Sequence, residues 1–100
     1  MRNGVQSHMI KSFRHKGLGK FFESGSAAGI RPHHANRLRM QLTALDTAQT
    51  IEDMNIAGFW LNPLKGQGKS RWSIWVNGNW RLTFEFRDGA AYVLDYEDYH

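Results

Sequence analysis

The sequence predicts an α+β domain of order β-α-α-β-β-β, in which an antiparallel meander is covered by two helices. Three observations carry that expectation. Apolar residues recur at three- and four-residue steps between Leu18 and Leu45, every second residue from Phe59 onward, and turn signals separate the runs. At 100 residues the chain can build one core and has little apolar surface to spare. It carries no internal repeat and no linker.

The elements follow in order. Residues 1–8, "MRNGVQSH", show no periodicity and are expected to be a disordered or upstream extension, leaving 9–100 as the domain. "MIKSF" reads as a first strand. In "HKGLGKFFESG", Leu18, Phe21 and Phe22 fall at helical spacing, with Gly25 as the stop. Pro32 suits the first turn of a second helix, where Ala35, Leu38, Leu42 and Leu45 form one apolar stripe. Arg31, Arg37 and Arg39 lie largely off that stripe, free to face solvent or a partner. Thr50 followed by Asp53 caps one further short turn.

In the meander, Trp72, Ile74 and Val76 alternate with Ser73, Trp75 and Asn77, and Trp80, Leu82, Phe84 and Phe86 with Arg81, Thr83 and Glu85. A two-residue Asn77-Gly78 turn would set Ile74 across from Arg81 and scramble both faces. A three-residue loop, Asn77-Gly78-Asn79, instead pairs Val76 with Trp80, Ile74 with Leu82 and Trp72 with Phe84. A one-residue slip moves a whole strand's apolar set to the wrong side, so the three-residue loop is expected. The other face then carries Trp75 across from Arg81 and Arg71 across from Glu85. A cation beside an exposed indole suits a phosphate next to a stacked base, or simply a cation–π pair covering the sheet. A last strand, "AAYVLDY", follows the Asp88-Gly89 turn.

Charge narrows the function. The formal net charge is +4 and the sequence pI about 9.8. Up to Arg81 there are twelve Lys and Arg against four Asp and Glu, while the closing "RDGAAYVLDYEDYH" holds one Arg and four acids. A basic body points to a polyanionic partner, nucleic acid above all, or to an ordinary basic soluble protein. No apolar run reaches the length of a membrane helix. With no cysteine, disulfides, zinc–thiolate sites and Cys nucleophiles are excluded together, in keeping with a cytoplasmic setting.

"FWLNPLKGQGKSRW" contains a Gly-x-Gly-Lys-Ser that imitates a phosphate-binding loop. A Walker loop needs its first glycine where Pro63 stands and a helix where "RWSIWV" reads as a strand, so the nucleotide reading fails. What remains is a donor-rich turn in which Lys65, Lys69 and Arg71 can hold anions. His33 and His34 are adjacent on a helix, with no third ligand spaced nearby, so no metal site is expected. At the far end "YEDYH" supplies Glu97, Asp98, Tyr99 and His100. RNA can be cut without metal when its own 2′-hydroxyl attacks the neighbouring phosphate. That needs a base, an acid for the leaving 5′-oxygen, and cations for the charge that builds on phosphorus. Lys65 and Arg81 suit the last role, and His100 titrates near neutrality.

These residues carry a resemblance. Through "MIKSF", "HKGL", "NPLKG", "WSIWVNGNWRLTFEF" and "YVLDYEDYH", the chain from Met9 to His100 resembles HigB-type toxins of bacterial toxin–antitoxin operons, within the RelE superfamily. The resemblance implies the RelE-like microbial RNase fold and a ribosome-dependent mRNA endoribonuclease, an mRNA interferase that acts in the A site without cofactor or metal. It implies as partners the 70S ribosome with its mRNA and a HigA-like helix-turn-helix antitoxin, operator DNA being reached only through that antitoxin. Carried over by motif, Lys65 and Arg81 act on the scissile phosphate, Asn79 shapes the site, and Asp98, Tyr99 and His100 complete it. Lys69, Arg71, Trp75, Arg37 and Arg39 are expected against RNA.

Two departures stand out. Toxins of this group commonly carry His before Pro-Leu-Lys-Gly, and this chain has Asn62, a neutral amide that accepts no proton. The base role then falls to His100 or Asp98, or activity is reduced. Trp75 sits where smaller residues are usual, which bears on base preference. The alternative is a weakened toxin fold that acts by binding, blocking the A site or, as its gyrase-poisoning relatives do, inhibiting gyrase.

Overall fold

The computed structural model describes residues 8–66 and 70–99. Its order is α1 (Lys16–Ser24), a 3-10 turn (Pro32–His34) leading into α2 (Ala35–Thr47), a second 3-10 turn (Ile51–Met54), then β1 (Asn62–Pro63), β2 (Arg71–Asn77), β3 (Trp80–Arg87) and β4 (Ala90–Asp98). The strands form one antiparallel sheet in the order β1-β2-β3-β4. The α+β layering is the one the periodicities predict.

Local chemistry explains where the helices start and stop. His15 caps α1, its Nδ1 accepting from the Leu18 N–H at 3.0 Å. Gly25 ends that helix at φ 81°, a left-handed conformation that costs glycine nothing, and returns its N–H to the Phe21 carbonyl. A side chain at either Gly17 or Gly29 would press on the other's Cα, at 3.0 and 2.9 Å, so α1 and the following loop cross backbone to backbone. Asp53 caps the second 3-10 turn, accepting from the Gln49 and Thr50 N–H groups at 2.8 and 3.1 Å.

One face of the sheet holds Ile74, Leu82, Phe84, Leu94 and Tyr96, which pack with Leu18, Leu38, Leu42 and Leu45 of the helices in one core. Phe84 is fully buried. Burial on that scale contributes about 1.5–3 kcal/mol per large side chain, enough to fix which face of each strand points inward. The outward face therefore has to carry Arg71, Ser73 and Trp75 of β2 and Arg81, Thr83 and Glu85 of β3.

Two details depart from the sequence reading. The body of the β2–β3 hairpin has the expected register, with Ile74 opposite Leu82, Trp75 opposite Arg81 and Arg71 opposite Glu85. At its tip Asn77 pairs with Trp80 around a two-residue Gly78-Asn79 turn, and a bulge between Trp75 and Asn77 leaves Val76 unpaired. The bulge takes up the one-residue offset that the three-residue loop was expected to absorb, so the apolar face is preserved. The second departure is "MIKSF". It lies parallel to β4 through isolated bridges, Ile10 to Ala91 and Phe13 to Leu94, rather than as a continuous strand. The cause is a bulge in β4, where Val93 at φ 54° adds a residue opposite Phe84 and breaks the ladder in two. Ser12 fills the break, its Oγ accepting from the Val93 N–H at 2.9 Å and its carbonyl from the Leu94 N–H at 3.1 Å.

Candidate active site

An open groove of about 660 Å³ lies on the outward face of the sheet, lined by Trp60, Leu61, Asn62, Ser73, Trp75, Arg81 and Tyr99. Strand pairing assembles it. Asn62 of β1 stands opposite Ser73 of β2, and Trp75 of β2 stands opposite Arg81 of β3, which pairs with Glu97 of β4. Residues nearly forty positions apart in sequence thus meet on one surface.

Arg81 supplies the groove's cation. Its Nη1 donates to the Gly78 and Trp80 carbonyls at 3.1 and 3.2 Å, and its guanidinium lies 5.7 Å from the centre of the Tyr99 ring. Tyr99 is tied to the hairpin tip by its own N–H, which donates to the Asn79 carbonyl at 2.7 Å. Partial burial pushes its phenol above the ordinary range and Glu97 acts in the same direction, while Arg71 and Arg81 pull it back. The phenol therefore keeps its proton at neutral pH and can donate it or a hydrogen bond. Asn79 thus acts here through its backbone, as the strut that holds Tyr99.

Trp75 is the most constrained member. Its Nε1 donates to the Gly78 carbonyl at 2.9 Å, and its backbone N–H donates to the Phe59 carbonyl at 2.7 Å. Its carbonyl accepts from Gln41 Nε2 at 2.8 Å and from Arg37 Nη2 and Nε at 3.3 and 3.4 Å. Arg37 also donates to the Gly58 carbonyl at 2.6 Å, and its guanidinium packs 5.3 Å from the Trp75 ring and 5.6 Å from that of Phe59. The expectation that Arg37 stands free of the fold is corrected. Its hydrogen-bonding fork joins α2 to β2 and to the turn before β1, because the helix presents it to the carbonyls of Trp75 and Gly58.

Beneath the groove, Thr83 bridges two charges. Its hydroxyl donates to Glu97 Oε2 at 2.7 Å and accepts from Arg71 Nη2 at 3.1 Å. Arg71 also lies 4.0 Å from Glu85, both side chains being less than a fifth exposed (13% and 18%). Arg71 is accordingly part of the sheet's charge network and borders the site from below.

The remaining expected residues fall at different distances from the groove. Lys65 is exposed in the turn after β1, beyond the residues that line the groove. Asp98 ends β4 in register with Trp80, one residue out of phase with Arg81. Arg39 lies elsewhere, in a smaller depression with Phe21, Phe22, Gly25, Leu42 and Thr43, its guanidinium 5.2 Å from the Phe21 ring. Lys69 and His100 lie outside the described residues. Sequence reasoning missed Trp60, Ser73 and Thr83 as residues at or beside the groove, and named Glu97 only among the acid–base groups of the C-terminal end. Ser73 and Thr83 had a usable signal, since both fall on the polar phase of strands whose other face is core. Trp60 had none beyond its place between Gly58 and Asn62. Among the described residues no group of three or more His, Asp and Glu side chains is gathered as a metal would require.

The sequence matches, over residues 11–100, the family described as the RelE-like toxin of the type II toxin–antitoxin system HigB. The chain belongs to that family. It is 49% identical over 92 residues to the Endoribonuclease HigB of Proteus vulgaris, covering 92% of this chain and all of that protein. It is 35% identical over 85 residues to Toxin HigB-1 of Vibrio cholerae, covering 83% of this chain and 90% of that one.

Proposed function

We propose that this chain is the toxin of a type II toxin–antitoxin pair and a ribosome-dependent endoribonuclease that cuts mRNA in the A site. The observation that carries this reading is the convergence of Arg81, Tyr99, Asn62 and Ser73 on one open groove in a chain of the HigB family. The 2′-hydroxyl of the substrate attacks the adjacent phosphorus, leaving a 2′,3′-cyclic phosphate and a free 5′-hydroxyl. Arg81 stabilises the negative charge that grows on the phosphoryl oxygens, and Lys65, exposed in the turn after β1, adds to it when the substrate is bound. Tyr99 donates from its phenol. Asp98 and His100 supply the proton transfers, with His100 taking the base role that Asn62 cannot fill.

In this reading a HigA-like helix-turn-helix antitoxin neutralises the protein in the cytoplasm and carries the pair to operator DNA. The exposed cations Lys65 and Arg39 and the groove rim face ribosomal RNA and mRNA. Among the described residues no helix is long and apolar enough to cross a membrane.

Asn62 favours a second reading, because it lines the groove where a base would be useful. A weakened member would arrest growth by occupying the A site. Induction of the wild-type chain and of Arg81→Ala in a bacterial host separates the two. Cleavage predicts that the arginine variant permits growth, while arrest that survives the substitution selects the binding reading.

A further inference from the structure

Trp60 is the most exposed large apolar side chain among the described residues, at 74%, and it stands on the same groove as Trp75 and Arg81. Its indole makes no hydrogen bond or ring contact among those residues. Its backbone is held in the left-handed region at φ 52°, where a bulky L-residue is strained. The loop around it is nonetheless secured on its N-terminal side. Phe59 is buried, its N–H donates to the Ile56 carbonyl at 2.9 Å and its carbonyl accepts from Trp75, while the Gly58 carbonyl accepts from Arg37. The fold therefore fixes the backbone on which an unpartnered indole is displayed.

Trp75 supplies a complementary surface. Arg37 and the Gly78 carbonyl engage it, so its ring cannot turn away, and it reaches the groove from β2 as Trp60 reaches it from the loop before β1. We propose that Trp60 and Trp75 form an aromatic subsite for one unpaired nucleobase next to the phosphate held by Arg81. This deepens the endoribonuclease reading and rests on it. The lining selects a base over a purely apolar ligand, because Asn62, Ser73 and Tyr99 offer hydrogen-bonding groups to its edge and Arg81 offers charge to the adjoining phosphate. A chain with formal charge +4 favours the same polyanion. The groove's volume lies within the range of small-ligand sites, room enough for a nucleotide unit.

The test is the affinity of the purified full chain for a short, fluorescently labelled, 2′-O-methylated single-stranded RNA, read by anisotropy. Cleavage is blocked by the methyl groups, so the result does not depend on the nuclease reading. Trp60→Ala should weaken binding roughly ten-fold or more, the scale of one lost base stack, and Trp60→Phe should recover most of it. An oligomer made abasic at one position should erase the difference between wild type and Trp60→Ala. Circular dichroism confirms that the variants are folded. Equal affinity of Trp60→Ala and wild type overturns the proposal and leaves the indole to a protein contact. So does an equal loss on intact and on every abasic oligomer, or absence of wild-type binding at millimolar RNA. Failure of the nuclease reading looks different, with RNA affinity and its Trp60 dependence intact but no cut on ribosomes.

Discussion

Replacing Arg37 with alanine tests whether this cation belongs to the scaffold or to the RNA. The substitution removes the 2.6 Å bond to the Gly58 carbonyl, the longer pair to the Trp75 carbonyl, and the packing against Trp75 and Phe59. Gln41 still satisfies the Trp75 carbonyl, so no buried acceptor there is orphaned. A charge-assisted bond reached by water contributes about 1–1.5 kcal/mol and the half-buried cation–π contacts about 0.5–1 kcal/mol, giving a loss near 2 kcal/mol. In a domain of 100 residues that lowers the melting temperature by roughly 10 °C. Arg39→Ala is the control. It loses an exposed bond to Asn36 and one face contact with Phe21, worth about 0.5 kcal/mol. Urea unfolding of the three proteins gives the comparison, and the salt dependence of RNA binding gives a second readout. Arg37→Ala should leave the slope of log affinity against log salt unchanged. Equal stability of the two variants, together with a slope reduced by about 0.7, would refute the scaffold role and make Arg37 a phosphate contact.

Three further outcomes follow from the same geometry. His34 is buried with its Nδ1 2.6 Å from the Tyr96 hydroxyl, and desolvation first, then His33 and Arg31, holds its imidazole below the ordinary range. The unfolded chain binds that proton more readily, so stability is full above about pH 6.5 and falls as pH drops below it. His34→Gln should flatten that fall in urea titrations, and an unchanged pH profile would contradict the assignment. Thr83→Val keeps the shape but removes the link between Arg71 and Glu97, at a cost of about 1–2 kcal/mol by thermal unfolding; an unchanged midpoint would show that water serves the two charges equally well. Asn62→His should raise the rate of mRNA cleavage on ribosomes by about a hundred-fold, the low end of what a positioned base supplies. An unchanged rate would place the base wholly at the C-terminal end.

The layers and the hairpin register were legible because burial is unforgiving at Ile74, Leu82 and Phe84, where a slip would expose every inward side chain. The helix ends were legible because Gly25 and Asp53 act locally, through a left-handed residue and a short-range carboxylate. Bulges were not. Val93 at positive φ and the offset at Val76 cost local strain and are decided by distant partners, Ser12 in one case and the hairpin twist in the other. The site was half legible for a similar reason. Arg81 and Trp75 could be set side by side from register alone. Arg37 could not be told from Arg39, since both lie off the apolar stripe and only the tertiary fold brings one of them against Gly58 and Trp75. Trp60 escaped notice because an exposed tryptophan is defined by what surrounds it.

The activity proposed for this groove is cleavage of RNA with the substrate's 2′-hydroxyl as nucleophile. Its most direct test maps the ends of mRNA on translating ribosomes incubated with wild-type protein and with Arg81→Ala. The claim predicts breaks confined to A-site codons, ending in 2′,3′-cyclic phosphate and 5′-hydroxyl, and reduced at least a hundred-fold in the variant, the scale of a lost transition-state cation. Intact mRNA on ribosomes that the wild-type protein has bound, or breaks that Arg81→Ala makes equally well, would contradict it.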